Sequence, residues 1–312
     1  SAAKAANAVR PESRAPAQAG TSATTQAPVS PQSTGAPLTL YWAGPCEIVP
    51  LESSPPELAK DHVAGRFTAE KTGAVKLTDS ERNAGGEAVA IEYGATTGRL
   101  SLIGAEDHRM FLDVPSAGRI ESTRLTADLV HGIVHIPSGG ALTRQGAEEF
   151  RLSWGEQADF TFLQRDGTLV NAISQAILSG GVLASDRSGS ISGKFARADF
   201  VPTALTPNSL SRLILEESAT AESKKSGTMS ADKIDVAFVP GTKDADPVPR
   251  QLTATGHASA ESKGDILKAD SIEAVLAKNE KGGIDVATAH ASGAVSFVSE
   301  RERVQANANE MR

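Results

Sequence analysis

The chain has 312 residues, a formal net charge of −7, 28 glycines, one cysteine and only 4% aromatic residues. So few bulky side chains suit a thin, extended β architecture better than a compact enzyme core. Scattered Lys and Arg residues without a basic stripe argue against nucleic acid as a partner. Cys46 stands alone, which excludes an internal disulfide and a cysteine-based metal site.

Residues 1–37 are Ala, Pro, Ser, Thr and Gln with almost no large apolar side chain, the composition of a disordered linker. From Leu38 the texture changes to short alternating runs: "LTLYW" at 38–42, "RLSLIG" at 99–104, "GIVHI" at 132–136, "DFTFL" at 159–163, "KIDVAFV" at 233–239 and "GAVSFV" at 293–298. Period-two alternation predicts strands with one buried face. "VNAISQAILSG" at 170–180 comes nearest to helical spacing, and a strand pair explains it nearly as well. No apolar run reaches the roughly 18 residues of a membrane span, and no signal peptide is visible. The chain begins at Ser1 without a methionine and stops at Arg312 inside a periodic pattern, so it reads as a piece of a longer protein.

The segment from Gly256 aligns without a gap on the segment from Gly293, pairing Ala258 and Ala260 with Val295 and Phe297, Leu267 with Val304, and Ala269 with Ala306. A third copy starts at Gly73, with Val75 and Leu77 on its first strand and Ala88 and Ala90 on its second. Ala-Asp pairs at 127–128, 158–159, 198–199, 231–232 and 269–270 mark the second strand of further copies. A period of about 36 residues results, and it predicts stacked strand–turn–strand units sharing one core. Glu300 to Arg303 form the solvated turn of the last hairpin.

No catalytic constellation emerges, and the chain is expected not to be an enzyme. His131 and His135 in "HGIVH" would share one face of a strand but lie roughly 13 Å apart, too far for one metal. "SGSISGK" at 188–194 lacks the leading Gly and trailing Ser or Thr of a phosphate loop and reads as a hairpin turn. No Gly-x-Ser-x-Gly occurs. The repeated Asp residues read as a solvated outer face, and Cys46 reads as a small buried apolar residue. No cofactor or metal is expected.

Units reading "G-x-V-x-F…A-x-A", with "GEAVAIEYGATTGRLSLIGAED" at 86–107, resemble the OstA/LptA-like domains of lipopolysaccharide transport, best over 77–104 and about 250–312. The irregular middle third, the Trp42 and Trp154 segments and the long N-terminal stretch depart from that pattern. The resemblance implies an all-β, periplasmic protein of repeated antiparallel strands, a β-jellyroll or β-taco open along one side. The expected division is a first lobe at 38–150 and a second at 151–312. It implies that acyl chains of lipopolysaccharide or a similar glycolipid lie between the two sheets, against Val75, Leu77, Ala88, Ala90, Leu100, Leu102, Val295, Phe297, Val304, Ala306 and Ala308. Other OstA-like proteins would join by edge-to-edge sheet pairing. The competing reading is a structural β-solenoid or adhesin-type scaffold without a ligand.

Overall fold

The structure, a computed structural model, describes residues 38–50, 63–70, 73–80, 83–94, 97–114, 118–144, 149–165, 168–203, 208–240, 247–278 and 284–311. The linker expected at 1–37 lies outside the described residues.

The described chain is all-β and antiparallel, as its alternation predicts, and forms one sheet of 22 strands. Thirteen shorter strands come first: β1 (Leu38–Tyr41), β2 (Cys46–Pro50), β3 (Val63–Thr68), β4 (Val75–Asp79), β5 (Ala84–Ala88), β6 (Ala90–Gly94), β7 (Arg99–Ile103), β8 (Met110–Val114), β9 (Gly118–Ser122), β10 (Arg124–Asp128), β11 (Ile133–Ile136), β12 (Gly140–Arg144) and β13 (Phe150–Trp154). Most of the strands that follow are far longer: β14 (Gln157–Arg165), β15 (Thr168–Asp186), β16 (Gly189–Val201), β17 (Ser209–Ser223), β18 (Gly227–Val239), β19 (Val248–Ser262), β20 (Asp265–Lys278), β21 (Ile284–Ser299) and β22 (Val304–Met311). The "VNAISQAILSG" stretch belongs to β15, and β-branched Val170, Ile173 and Ile177 within it favour the extended backbone.

The pairing divides the sheet into two walls. Wall A runs β1–β4–β5–β8–β9–β12–β13, and wall B runs β2–β3–β6–β7–β10–β11–β14. Successive hairpins alternate between the walls, so the chain crosses from one to the other after every second strand. β15 joins them. Its first part pairs with β14 in wall B, and its last residues, Leu183–Asp186, pair with β13 in wall A. From there each long strand passes through both walls, with a break in register where it crosses. The lobe boundary expected after residue 150 falls at β13, which pairs with β12 on one side and β15 on the other. Sheet and core run through it; what changes there is the construction of the strands.

One hydrophobic cluster joins the two walls. Trp154 of wall A meets Phe160 of wall B edge-on, with ring centroids 6.4 Å apart. The Trp154 indole N–H donates to the Ser138 carbonyl at 2.9 Å. Gly140, its cross-strand partner, lies directly under the ring, where any side chain would collide with it. Among the described residues β1, β2 and β22 each pair on one side only, so the sheet does not close.

Candidate functional site

The cleft between the walls is built from ladders of apolar side chains that pass from strand to strand. On wall A one ladder starts Leu40–Leu77–Gly86–Leu112 and ends Leu267–Phe297–Ala306, with a cross-strand pair at every step. On wall B another starts Gly65–Tyr93–Leu100–Ala127 and ends Leu252–Ala274–Ala289. The wall A ladder crosses 15 strands, which at about 4.8 Å per strand spans roughly 65 Å. Alternate residues point to the other face and are polar: Lys76 with Glu87, Arg119 with Asp113, and Arg212 with Asp235. That alternation is the sequence pattern of a sheet with one apolar and one solvated side.

Burial falls off from the fold line toward the lips. Val75, Ala88, Ile91, Leu102, Leu215 and Ala258 beside the fold line are 0–1% exposed. Farther out, Leu112, Leu142, Leu152, Ile191, Met229 and Leu267 are only half-buried, although Leu77, Ile120 and Ala184 of the same row remain buried. The inner walls therefore make an apolar trough that is packed at its base and solvent-accessible toward its lips.

The second half of the trough is written in a repeat of 38 residues. Ala158, Ala196, Ile234 and Ile272 occupy one inner row on β14, β16, β18 and β20, and Phe160, Ala198, Val236 and Ala274 occupy the next. The same interval separates Glu156, Lys194, Asp232 and Asp270 on the outside of the fold line. Opposite them β15, β17, β19 and β21 each turn the corner with two consecutive positive-φ residues: Gly180–Gly181, Glu217–Ser218, Gly256–His257 and Gly293–Ala294. A Cβ on Gly256 or Gly293 would overlap the carboxylate of Asp232 or Asp270, so glycine answers both the backbone conformation and the close approach. At the equivalent position Glu217 is accommodated because its neighbour is Lys194, whose ammonium it binds at 2.9 Å.

Wall B is also taller in this half. Phe162, Phe200, Phe238 and Leu276, again at the 38-residue interval, extend its inner face beyond a bulge placed just before each of them. The three phenylalanines pack against the core while remaining half-exposed. Sequence reading passed over this row, although "DFTF", "ADFV" and "VAFV" carry it at fixed spacing.

Ten of the eleven predicted liners fall on the trough face. Val75, Leu77, Ala88, Leu100, Leu102, Val295, Phe297, Ala306 and Ala308 lie in the inner rows. Val304 shares their face but sits at the lip, 45% exposed. Ala90 does not: it pairs with Thr68 and Ile103, while the next residue, Ile91, pairs with Phe67 and Leu102 on the trough face. Val89 is a bend between β5 and β6, and the extra residue reverses the phase of the alternation.

Other sequence expectations change in detail. Cys46 is exposed: among the described residues β2 pairs with β3 alone. "SGSISGK" forms a turn only at its start; Gly189–Lys194 belong to β16. "HGIVH" straddles the turn between β10 and β11. His131 lies in that turn, 2.9 Å from Asp128, and His135 lies on β11, with Nδ1 2.6 Å from Asp159. Asp128 is pulled upward by burial, but hydrogen bonds from the His131 and Val130 amides and from the His131 ring outweigh this and hold its pKa below the ordinary value. Asp186 behaves alike: burial raises its pKa, but bonds from Ser188 and Gly189 and the nearby Lys224 outweigh this and lower it. Among the described residues no group of three His, Cys, Asp or Glu is placed to hold a metal ion.

Comparison with family models, with curated proteins and with solved structures finds no match.

Proposed function

We propose that the trough holds the acyl chains of lipopolysaccharide or a similar glycolipid, and that the protein is a periplasmic bridge-like module carrying that lipid toward the outer membrane. The observation that carries this reading is the ladder from Leu40 to Ala306, free of polar side chains and only half-buried at several of its steps, in an unclosed sheet. Each methylene removed from water contributes about 0.8 kcal/mol. A chain of a dozen methylenes therefore gains up to about 10 kcal/mol before ordering costs, without any sharply placed polar group. The alternation of short hairpins between two walls also suits the OstA-like resemblance of 77–104. Among the described residues β1, β2 and β22 each pair on one side only, which suits edge-to-edge pairing with further modules of the same kind. The ligand-free scaffold reading has less support, because a scaffold gains nothing from apolar rows left half-exposed.

Photo-crosslinking tests the proposal. A photoreactive side chain at position 297 or 77 is expected to give an adduct with lipopolysaccharide; absence of an adduct from both positions would sink it.

A further inference from the structure

We infer that the second half of the trough, from β14 on, selects long acyl chains, and that the third inner row of wall B, centred on Phe200 and Phe238, reads their length. The inference rests on the acyl-chain reading of the trough and adds to it which chains are preferred and where along the trough they sit.

Wall B changes height at β14. Before it, β7, β10 and β11 reach their turns after a second inner row, Leu100–Ala127–Val134. In the long strands a third row stands above the second as cross-strand pairs: Phe200–Leu210, Phe238–Pro249 and Leu276–Val286. All six are apolar; five are half-buried, and Val286 is 60% exposed. One extra residue on the partner strand sets each pair off from the row beneath, Ser211, Arg250 and Ala287 in turn. Bulges of this kind re-aim the side chains beyond them.

Wall A has no matching row. Its first two rows are apolar, but over β16 to β21 the third consists of Ser223 with its partners Gly189 and Gly227, and Asp265 between Ser262 and Ser299. These polar groups hold the hairpin turns. Ser223 Oγ accepts from the Ser226 amide at 3.2 Å, Ser299 Oγ donates to Asp265 at 2.6 Å, and Ser299 Oγ also accepts from the Glu302 amide at 3.2 Å. The phenyl rings of wall B therefore have no apolar counterpart across the trough.

A hydrocarbon chain supplies that counterpart. The base of the trough is packed, with Leu215, Ile234 and Ala254 at 0–1% exposure, so the methyl end of a chain stops above it. Added length then lifts the remaining methylenes toward the lip. In the first half they would emerge into water; in the second half the third row of wall B covers them on one side.

Glucosamine lipids bearing one acyl chain of graded length, titrated against the whole chain, test the assignment. Binding should tighten by up to about fourfold for each methylene added. In Phe200→Ala/Phe238→Ala this gain should stop early, with the longest chains bound about tenfold more weakly and the shortest within about twofold of the unaltered protein. Val201→Ala/Val239→Ala, on the outer face of the same strands, should leave the series unchanged. An unchanged series in the double Phe variant, or an equal loss at every length, overturns the length assignment and leaves the trough reading standing. Binding of none of these lipids by the unaltered chain overturns both. A second measurement keeps the fold nearly unaltered: a photoreactive phenylalanine in place of Phe238 should label the longest-chain lipid and not the shortest. Equal labelling of the two overturns the length assignment.

Discussion

Asp270 and Gly293 face each other across the fold line, and the carboxylate of the first fills the space that a side chain on the second would need. Asp232 and Gly256 repeat the relationship one unit earlier. These pairs let a long strand leave one wall and enter the other without breaking the apolar ladder on its inner side. The trough therefore depends on its corners.

Gly293→Ala must adopt a φ of +70° and displace Asp270, so it is expected to destabilise the fold by about 1–3 kcal/mol. Gly256→Ala should cost a similar amount. By contrast Gly181→Ala, with open space around its Cβ position, carries only the backbone penalty and should cost less. Urea unfolding of the three variants measures the order directly.

Depth in the trough should set the cost of truncation. Leu215, 1% exposed at the base, should lose about 3 kcal/mol on replacement by alanine. Phe297→Ala, toward the lip, removes a larger side chain yet should cost less than its size suggests, because part of that surface is already in water. If lipid binds as proposed, Phe297→Ala weakens binding more than it weakens the fold. Denaturation curves with and without lipid separate the two effects.

Acid should loosen the wall B turn at Asp128 and the wall A turn at Asp186. Both carboxyls have folded pKa values below the ordinary Asp value, so their contribution is present above about pH 4 and is lost as pH falls through the folded pKa. Asp128→Asn/Asp186→Asn should be less stable than the unaltered chain at pH 7 and closer to it at pH 2. An unchanged gap across that range would mean that the two turns do not depend on the charged form.

The strands and their trough face were legible where alternation ran unbroken, as at Val75–Leu77, Leu100–Leu102 and Val295–Phe297. Phase was not legible across a corner: a single inserted residue, Val89, sends Ala90 to the outer side and Ile91 inward. The same limit affected the repeat. The Ala-Asp marker mixed two places, since Asp159 and Asp199 lie on the outer face of wall B whereas Asp232 and Asp270 lie at the fold line. The ungapped alignment from Gly256 to Gly293 holds for β19 and β21, and then slips. The four-residue turn at 300–303 is two residues longer than the turn at 263–264, so Leu267 corresponds to Ala306 and Ala269 to Ala308. Turn length and corner bulges depend on backbone conformation that apolar patterning does not record.

The central claim is that one face of this sheet holds lipid, and a photoreactive side chain walked along β21 and β22 tests it most directly. Positions 297 and 306 form a cross-strand pair on the trough face, and 296 and 307 form the pair beside them on the outer face. Lipopolysaccharide adducts at 297 and 306, with none at 296 and 307, are the predicted result. Equal labelling on both faces, or labelling on neither, would contradict the account.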